Sequence, residues 1–362
     1  MKDKNKNQHS YRAFSISNIK GFIAQDEQFG KDNTYSKTDK STNYIVKPGM
    51  FAYNPARINV GSIAYQNQTE PVLVSSLYEI FQTNSKIDDS FLMNWFKTSL
   101  FNRQIKRLEE GGVRQYFFID KMKETEIKLP SISEQNQISK LLQLVNKNLD
   151  LQQRKLKDIQ LLKKAYLKAI FKSNKSTYKL KDIADYRRGS FPQPYGNPKW
   201  YGGDGSLPFV QVIDVAKNLR LYNSTKQRIS RLAQSKSVFV PKGSILITLQ
   251  GSIGKVAITQ YDAFVDRTLL IISNLKKDVD KYYFAYALQD KFNEEKRKAP
   301  GGTIKTITKN ALSEFQIKLP KKDIQKKQSS ILQKIDKDIY IINLKLSELS
   351  KFKQFLLQNM FI

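Results

Sequence analysis

Two segments of the chain place apolar residues at alternating steps of four and three, the spacing of a heptad repeat. They occupy residues 131–175, which end in a polar linker, and residues 321–362. Each segment predicts a helix of about 40 residues, roughly 60 Å long at 1.5 Å per residue. A helix of this length cannot bury its apolar stripe on a small domain, so we expect the two helices to pair as an antiparallel coiled coil. The predicted helix-pairing seam consists of Ile138, Leu142, Val145, Leu149, Leu156, Ile159, Lys163, Ile335, Ile339, Ile342, Leu346, Leu349, Lys353 and Leu356.

The two helical segments belong to an internal repeat, whose offset takes position 110 to position 300. Residues 110–130 and 300–320 share a Gly-Gly pair, and both end in Ile-Lys-Leu-Pro. The same offset relates Lys163 to Lys353, the two lysines of the predicted seam. Polar residues in a coiled-coil seam can set its register, so we expect these lysines to tune the helix pairing. The chain is therefore two copies of one unit, each a globular part followed by a long helix.

The globular parts are predicted to be rich in β-strands. Short runs of β-branched and aromatic residues, separated by Gly, Pro, Asn and Asp, predict strands. In the second copy these runs are residues 209–215, 237–240, 244–249, 255–259, 268–273 and 314–319. Helices are predicted over residues 281–298 and, in the first copy, 91–108. The fold class is therefore α+β, with two β-rich globular domains in tandem, at residues 1–130 and 176–320, and a long helix after each.

The composition indicates a polyanionic partner. The chain has 362 residues, with 62 Lys and Arg against 33 Asp and Glu, a formal net charge of +29. Such an excess suits nucleic acid, and the absence of a long apolar run argues against a membrane span. The chain has no Cys and a single His, which excludes disulfides, thiol nucleophiles and most His-based metal sites. Without a secretory signal, the expected location is the cytoplasm.

Three short motifs resemble catalytic sequences without completing them. Residues 251–255, GSIGK, match the end of a phosphate-binding P-loop, but Leu249 replaces its first glycine and Val256 its final Ser or Thr. Residues 53–56 lack part of the Asn-Pro-Pro-aromatic loop of adenine methyltransferases. Residues 126–128 have the Glu-x-Lys of a nuclease without a preceding Pro-Asp. We therefore predict no catalytic residue and no metal site.

Basic residues in the globular parts alternate with aromatic residues and amides. Lys and Arg neutralise phosphates, while Arg, Asn and Gln can also bind base edges. A solvated basic face is the ordinary alternative for any single lysine, but the clusters together favour nucleic-acid binding. The candidate nucleic-acid-binding residues are Arg57, Arg103, Lys106, Arg107, Arg114, Gln115, Tyr116, Arg187, Arg188, Tyr195, Lys199, Trp200, Lys255, Arg267, Lys298, Lys305 and Lys309.

The plan and the motifs together resemble the specificity (S) subunit of Type I restriction–modification systems. Residues 179–189 are similar to the family's opening of a target recognition domain, residues 243–258 to its central strand pair and residues 299–320 to its closing segment. Residues 131–138 and 326–331 resemble the starts of its conserved helices. The resemblance covers nearly the whole chain.

The resemblance implies a DNA-binding subunit without chemistry of its own. Each recognition domain would bind one half of a split target in double-stranded DNA, and the paired helices would fix the gap between the halves. The helices would also dock two methyltransferase (M) subunits, through which restriction (R) subunits join. S-adenosylmethionine, ATP and Mg²⁺ would be bound by these partners, and no cofactor by this chain.

The first copy departs from the family pattern, since nothing in it corresponds to residues 178–191 of the second copy. We expect an exposed strand edge there. Alternatives remain open: the specificity subunit of another restriction–modification architecture, an inactive truncated allele, a coiled-coil scaffold, or, least favoured, a methyltransferase or nuclease.

Overall fold

A computed structural model describes residues 2–7, 9–18, 20–29, 40–108, 116–174, 176–276, 278–298 and 307–361. The candidates Arg114, Gln115 and Lys305, and the side chain of Lys309, lie outside this description. The chain divides into two compact units, unit 1 from Met1–Arg154 with Leu344–Ile362, and unit 2 from Lys155–Asn343. Each unit therefore contains one globular domain and parts of both long helices.

Among its described residues, unit 1 contains three small sheets and several short helices. The first sheet has the strand order β1-β4-β7, the second is the hairpin β2-β3, and the third has the order β6-β5-β8. The elements are β1 (Asp3–Lys4), β2 (Phe14–Ser17), β3 (Gly21–Ala24), α1 (Gln25–Phe29), β4 (Tyr44–Val46), β5 (Phe51–Tyr53), β6 (Ile63–Tyr65), β7 (Val72–Val74), β8 (Glu79–Phe81), α2 (Asp89–Trp95), α3 (Ser99–Leu108), α4 (Ile119–Lys123) and the first part of the long helix α5 (Ile132–Ser173).

The single helix expected over residues 91–108 is divided into two helices, α2 and α3. The prediction of one continuous helix was therefore wrong. Thr98 lies at the break and provides the reason. Its hydroxyl donates to the carbonyl of Trp95 at 2.7 Å and accepts from the backbone N–H of Phe101 at 3.3 Å. The side chain therefore ends one helix and caps the next, in the way that Thr competes with helical backbone hydrogen bonds.

Among its described residues, unit 2 contains two four-stranded sheets and one two-stranded sheet. The four-stranded sheets have the strand orders β10-β17-β14-β15 and β12-β11-β16-β13, and the two-stranded sheet is β18-β9. Besides the remainder of α5, its elements are β9 (Thr177–Lys179), α6 (Leu180–Ile183), β10 (Ala184–Arg188), β11 (Leu207–Val210), β12 (Gln227–Ile229), α7 (Arg231–Gln234), β13 (Val238–Val240), β14 (Ile245–Thr248), β15 (Val256–Ile258), β16 (Ala263–Val265), β17 (Leu269–Leu275), α8 (Lys281–Lys298), α9 (Lys309–Ser313), β18 (Gln316–Lys318) and the first part of α10 (Lys322–Asn359). Helix α8 has the bounds expected from the sequence.

The strand expected over residues 209–215 ends earlier, at the end of β11, and a 3-10 turn over Val212–Asp214 follows it. The Asp214 carboxylate explains the change. It accepts from the backbone N–H of Gln211 at 2.8 Å and from that of Lys226 at 2.8 Å. The carboxylate thus binds the Gln211 N–H that begins the turn and ties it to the segment at Lys226, so the backbone leaves the strand ladder here.

The sheets of the two units differ at one edge. In unit 2, β14 pairs with β15 and β17, and β10 covers the far side of β17. In unit 1, β5 pairs with β6 and β8 in the same way, but within the described residues no strand covers the far side of β8. This matches the open strand edge expected from the repeat comparison.

The long helices pack within each unit. In unit 1, Leu142 and Val145 of α5 share a core with Leu356 of α10 and Phe361. In unit 2, Lys163 of α5 pairs with Asp336 of α10. The early part of each helix therefore lies with the late part of the other, an antiparallel pairing. Every residue of the expected seam is buried or half-buried. Within the described part of the chain, no helix is long and apolar enough to span a membrane.

Candidate nucleic-acid interface

In unit 2, β10 presents two arginines at the edge of its sheet. Arg187 and Arg188 are exposed, and the chain then turns at Gly189. The N–H of Gly189 donates to the carbonyl of Leu269 at 3.1 Å, and the N–H of Ser190 donates to that of Val265 at 3.0 Å. A Cβ at position 189 would overlap the carbonyl oxygens of Val265 and Asp266. Only glycine allows this approach, which brings the arginines beside the turn between β16 and β17.

A hydrogen-bonded tyrosine lies next to that turn. The hydroxyl of Tyr195 donates to Asp266 Oδ2 at 3.1 Å and accepts from the Gln211 amide at 2.5 Å. Burial, followed by the charge of Asp266, raises the pKa of Tyr195 to about 12. The guanidinium of exposed Arg267 lies over its ring, 5.7 Å from the centroid. The network fixes the ring that supports Arg267, so this cation is held in place with its charge towards solvent.

Trp200 is mostly buried, and its indole N–H donates to the carbonyl of Pro194 at 3.2 Å. Its ring therefore belongs to the domain core and is not presented for stacking on a base. Two exposed lysines flank the ring, Lys199 at 4.6 Å and Lys236 at 5.4 Å from its centroid. Lys236 is a basic residue that the sequence reasoning missed, because it lies far from Trp200 along the chain and no motif marks it.

Two other candidates lie in different surroundings. Lys255 is half-buried beside helix α8, where it lines a cavity with Lys296. Lys298 is exposed at the end of α8, where its ammonium contacts Glu294 at 2.5 Å and Glu295 at 3.4 Å. The charge of Lys298 is thus already partly compensated within the helix, which makes it the weaker candidate.

In unit 1, the candidates that the structure describes lie before a short turn that follows β5, on helix α3 and at Tyr116. Arg57 is exposed and precedes the 3-10 turn Ile58–Val60, whose Ile58 packs in the same core as Phe101 of α3. The N–H of Phe117 donates to the carbonyl of Pro55 at 3.0 Å, which brings the following chain to the same turn. The remaining candidates here are exposed Arg103, Lys106 and Arg107 on α3, and half-buried Tyr116, which stacks on Phe118.

The P-loop-like residues 251–255 form the turn between β14 and β15 and do not begin a helix. Gln289 of α8 holds this turn, donating to the carbonyl of Gly254 at 2.9 Å and accepting from the N–H of Val256 at 2.9 Å. A P-loop places its glycines at a helix N-terminus. Residues 251–255 instead connect two strands, which confirms that they do not form a P-loop.

Comparison with known proteins assigns the chain to a family. The Type I restriction modification DNA specificity domain matches it twice, at residues 2–161 and 172–351. The putative type I restriction enzyme MjaX specificity subunit of Methanocaldococcus jannaschii is 23% identical over 341 residues, covering 86% of this chain and 76% of that protein. The two matches follow the internal repeat.

Solved structures show the same fold. The S subunit of a Type-I restriction-modification system from M. genitalium has a TM-score of 0.64 at 14% identity, covering 100% of this chain and 96% of that one. A chain from a study of complex assembly and conformational transition of the type I R-M system has a TM-score of 0.55 at 16% identity, covering 98% and 93%. With the two domain matches, the chain belongs to the specificity subunits of Type I restriction–modification systems.

Proposed function

We propose that this subunit recognises a bipartite DNA target and docks two methyltransferase subunits. The observation that carries the proposal is the duplication: two compact units, each with a domain bearing exposed cations and parts of both long helices. A repeated DNA-binding domain on a paired helical support binds two half-sites whose separation the support determines. The chain performs no chemistry itself, and S-adenosylmethionine, ATP and Mg²⁺ are bound by the methyltransferase and restriction subunits.

The basic surfaces support the DNA-binding part of this proposal. In unit 2, Arg188, Arg267 and Lys199 are exposed around β10 and the turn between β16 and β17. Exposed arginines can bind guanine edges in the major groove or neutralise phosphates, and lysines mainly neutralise phosphates. Gly189 and the Tyr195 network hold this surface rigidly, so few side chains need to be ordered when DNA binds.

Exposed apolar residues on the long helices support the docking of two partners. In unit 1, Leu151 is 62% exposed and Phe352 is 45% exposed. In unit 2, Ile341 is 37% exposed and Leu162 is 59% exposed. The repeat offset takes Leu151 to Ile341 and Leu162 to Phe352. Each unit therefore presents the same pair of positions, as two identical partner subunits require, and burying such side chains favours association.

Genome-wide mapping of N6-methyladenine tests the proposed function. The chain is expressed with its methyltransferase subunit in a host that lacks other adenine methylation. We expect a split motif with a fixed gap, methylated on both strands. A motif with one specified half would show that only one recognition domain acts. A soluble complex that binds DNA without methylating it would indicate an inactive allele, and failure to bind the methyltransferase would contradict the docking proposal.

Charge placed on the exposed apolar pair of one unit should remove one partner. We expect Leu151→Asp with Phe352→Asp to lower the stoichiometry from two methyltransferase subunits per chain to one, and Leu162→Asp with Ile341→Asp to do the same. Each change loses the burial of a large side chain, about 1.5–3 kcal/mol, and adds a desolvated charge. Mass measurement of the purified complex gives the stoichiometry. The exposed pair Gln153→Asp with Gln354→Asp is the control and should retain two partners.

A further inference from the structure

Unit 2 contains a cavity of about 390 Å³ where α8, α5 and the turn before β15 meet. Four lysines line it: Lys163, Lys217, Lys255 and Lys296. The ammonium of Lys163 is compensated by Asp336, at 2.5 Å. In the part of the chain that the structure describes, the other three lysines have no carboxylate within ion-pair distance, so the cavity holds an excess of positive charge.

The protein fixes the position of Lys255. The backbone N–H of Lys255 donates to the hydroxyl of Thr248 at 2.9 Å. Gly254, with φ +77°, lies so close to the ring of Phe292 on α8 that a Cβ would overlap the ring. Gln289 binds the same turn from α8. The close approach allowed by Gly254 and the two hydrogen bonds of Gln289 therefore place Lys255 next to α8, the helix that carries Lys296.

The ammonium groups of Lys255 and Lys296 are thus held near each other, and no described carboxylate forms an ion pair with either of them. The pKa of Lys296 is lowered by burial and then by the positive charge of Lys255. Asp290, the one other charged residue besides the lysines in the described lining, has its pKa raised by burial. Even with Asp290 ionised, three uncompensated lysines face one carboxylate. Such an arrangement is unfavourable by itself and is relieved when an anion binds between the two lysines.

Neutral donors complete the cavity lining. The amide oxygen of Asn293 accepts from Gln289 at 3.3 Å, which leaves its amide N–H groups for a ligand. The Asn218 amide oxygen is occupied by Lys163, at 3.1 Å. Cations with an amide donor match the tetrahedral oxygens of a phosphate group, which accepts several charge-assisted hydrogen bonds.

The repeat provides an internal comparison. In unit 2 the N–H of Thr248 donates to the carbonyl of Lys255 at 3.0 Å, and in unit 1 the N–H of Asn54 donates to that of Ser62 at 3.0 Å. Ser62 therefore occupies the position of Lys255, and it is buried with its hydroxyl donating to the carbonyl of Ile16. The lysine pair is a feature of unit 2 and not a requirement of the fold.

We propose that Lys255 and Lys296, with Lys217, form a phosphate-binding pocket in unit 2, and that its ligand is a phosphate of the DNA backbone. The choice of DNA rests on the proposed function. A phosphate held here anchors DNA to this domain independently of the exposed arginines at β10.

The salt dependence of DNA binding tests the pocket. We expect Lys255→Gln with Lys296→Gln in the full chain to weaken binding to a random-sequence duplex about tenfold at low salt. The slope of log K against log[salt] should fall by about 1, since one phosphate contact is lost. Lys326→Gln with Lys327→Gln removes the same charge from exposed positions of unit 2 and should leave the slope unchanged. The single variant Lys255→Gln, which relieves the repulsion, serves if the double variant does not fold.

A second measurement separates the sources of phosphate. Sodium phosphate, compared with chloride at equal ionic strength, should raise the melting temperature of the wild-type chain more than that of the double variant, because a ligand stabilises the state that binds it. A lost phosphate effect with an unchanged DNA slope would assign the pocket to a free phosphate compound. If the double variant changed neither the salt slope nor the phosphate effect, the proposal of a phosphate-binding pocket would be wrong. A wild-type chain without salt-dependent DNA binding would instead refute the proposed function.

Discussion

Replacing Asp336 by alanine should lower the free energy of unfolding by about 3 kcal/mol, because it leaves a buried ammonium without its counter-ion. The side chains of Lys163 and Asp336 are only 13% and 10% exposed. Asp336 also accepts from the hydroxyl of Tyr286 at 2.6 Å, and Lys163 donates to Asn218 at 3.1 Å. One carboxylate on α10 therefore satisfies two buried donors, one on α5 and one on α8. Urea unfolding followed by circular dichroism measures the loss.

Two further variants make this prediction specific. Asp158→Ala on α5 removes an exposed carboxylate from the same unit and should change stability by less than about 0.5 kcal/mol. Lys163→Met with Asp336→Leu replaces the ion pair by apolar side chains and should cost less than Asp336→Ala alone. If Asp336→Ala were as stable as Asp158→Ala, the ion pair would not hold the helices together.

The second lysine of the seam has different neighbours. The repeat offset relates Lys353 to Lys163, but it puts Asn146 in the place of Asp336 and Phe96 in the place of Tyr286. We therefore expect Lys353→Met to be less destabilising than Lys163→Met. The role that the heptad pattern predicts for both lysines remains a prediction, and this comparison tests it.

Gly189→Ala should destabilise unit 2 by about 3 kcal/mol and weaken DNA binding. A Cβ at this position overlaps the carbonyl oxygens of Val265 and Asp266, which are backbone atoms and cannot rotate away. The end of β10 must then move, taking Arg188 from its place beside the turn that carries Arg267. Urea unfolding and DNA titration of the full chain measure the two effects.

Gly196→Ala is the matched control, because its Cβ would meet no atom within 4 Å. We expect this variant to retain wild-type stability and affinity. Unchanged DNA binding by a destabilised Gly189→Ala chain would show that β10 is part of the fold but does not contact DNA.

The helical part of the fold could be predicted from the sequence because its signal is local and periodic. Heptad spacing predicts both the length of α5 and α10 and the residues of their shared face, and the internal repeat shows that the unit is duplicated. The strands were placed well where apolar runs were continuous, as at β14 and β17. Breaks were missed where one polar side chain redirects the backbone, as at Thr98 and Asp214.

By itself, the sequence determined the duplication, the helix pairing, the family and the net positive charge, because composition, regular spacing or ordered motifs indicate each of them. Only the tertiary structure decided which parts of the chain share a unit, that Trp200 is buried, that Lys163 pairs with Asp336, and that Lys255 lies beside Lys296. These contacts join residues that are far apart along the chain. They depend on close packing of particular side chains and on glycines that permit close approach, and no local pattern encodes them.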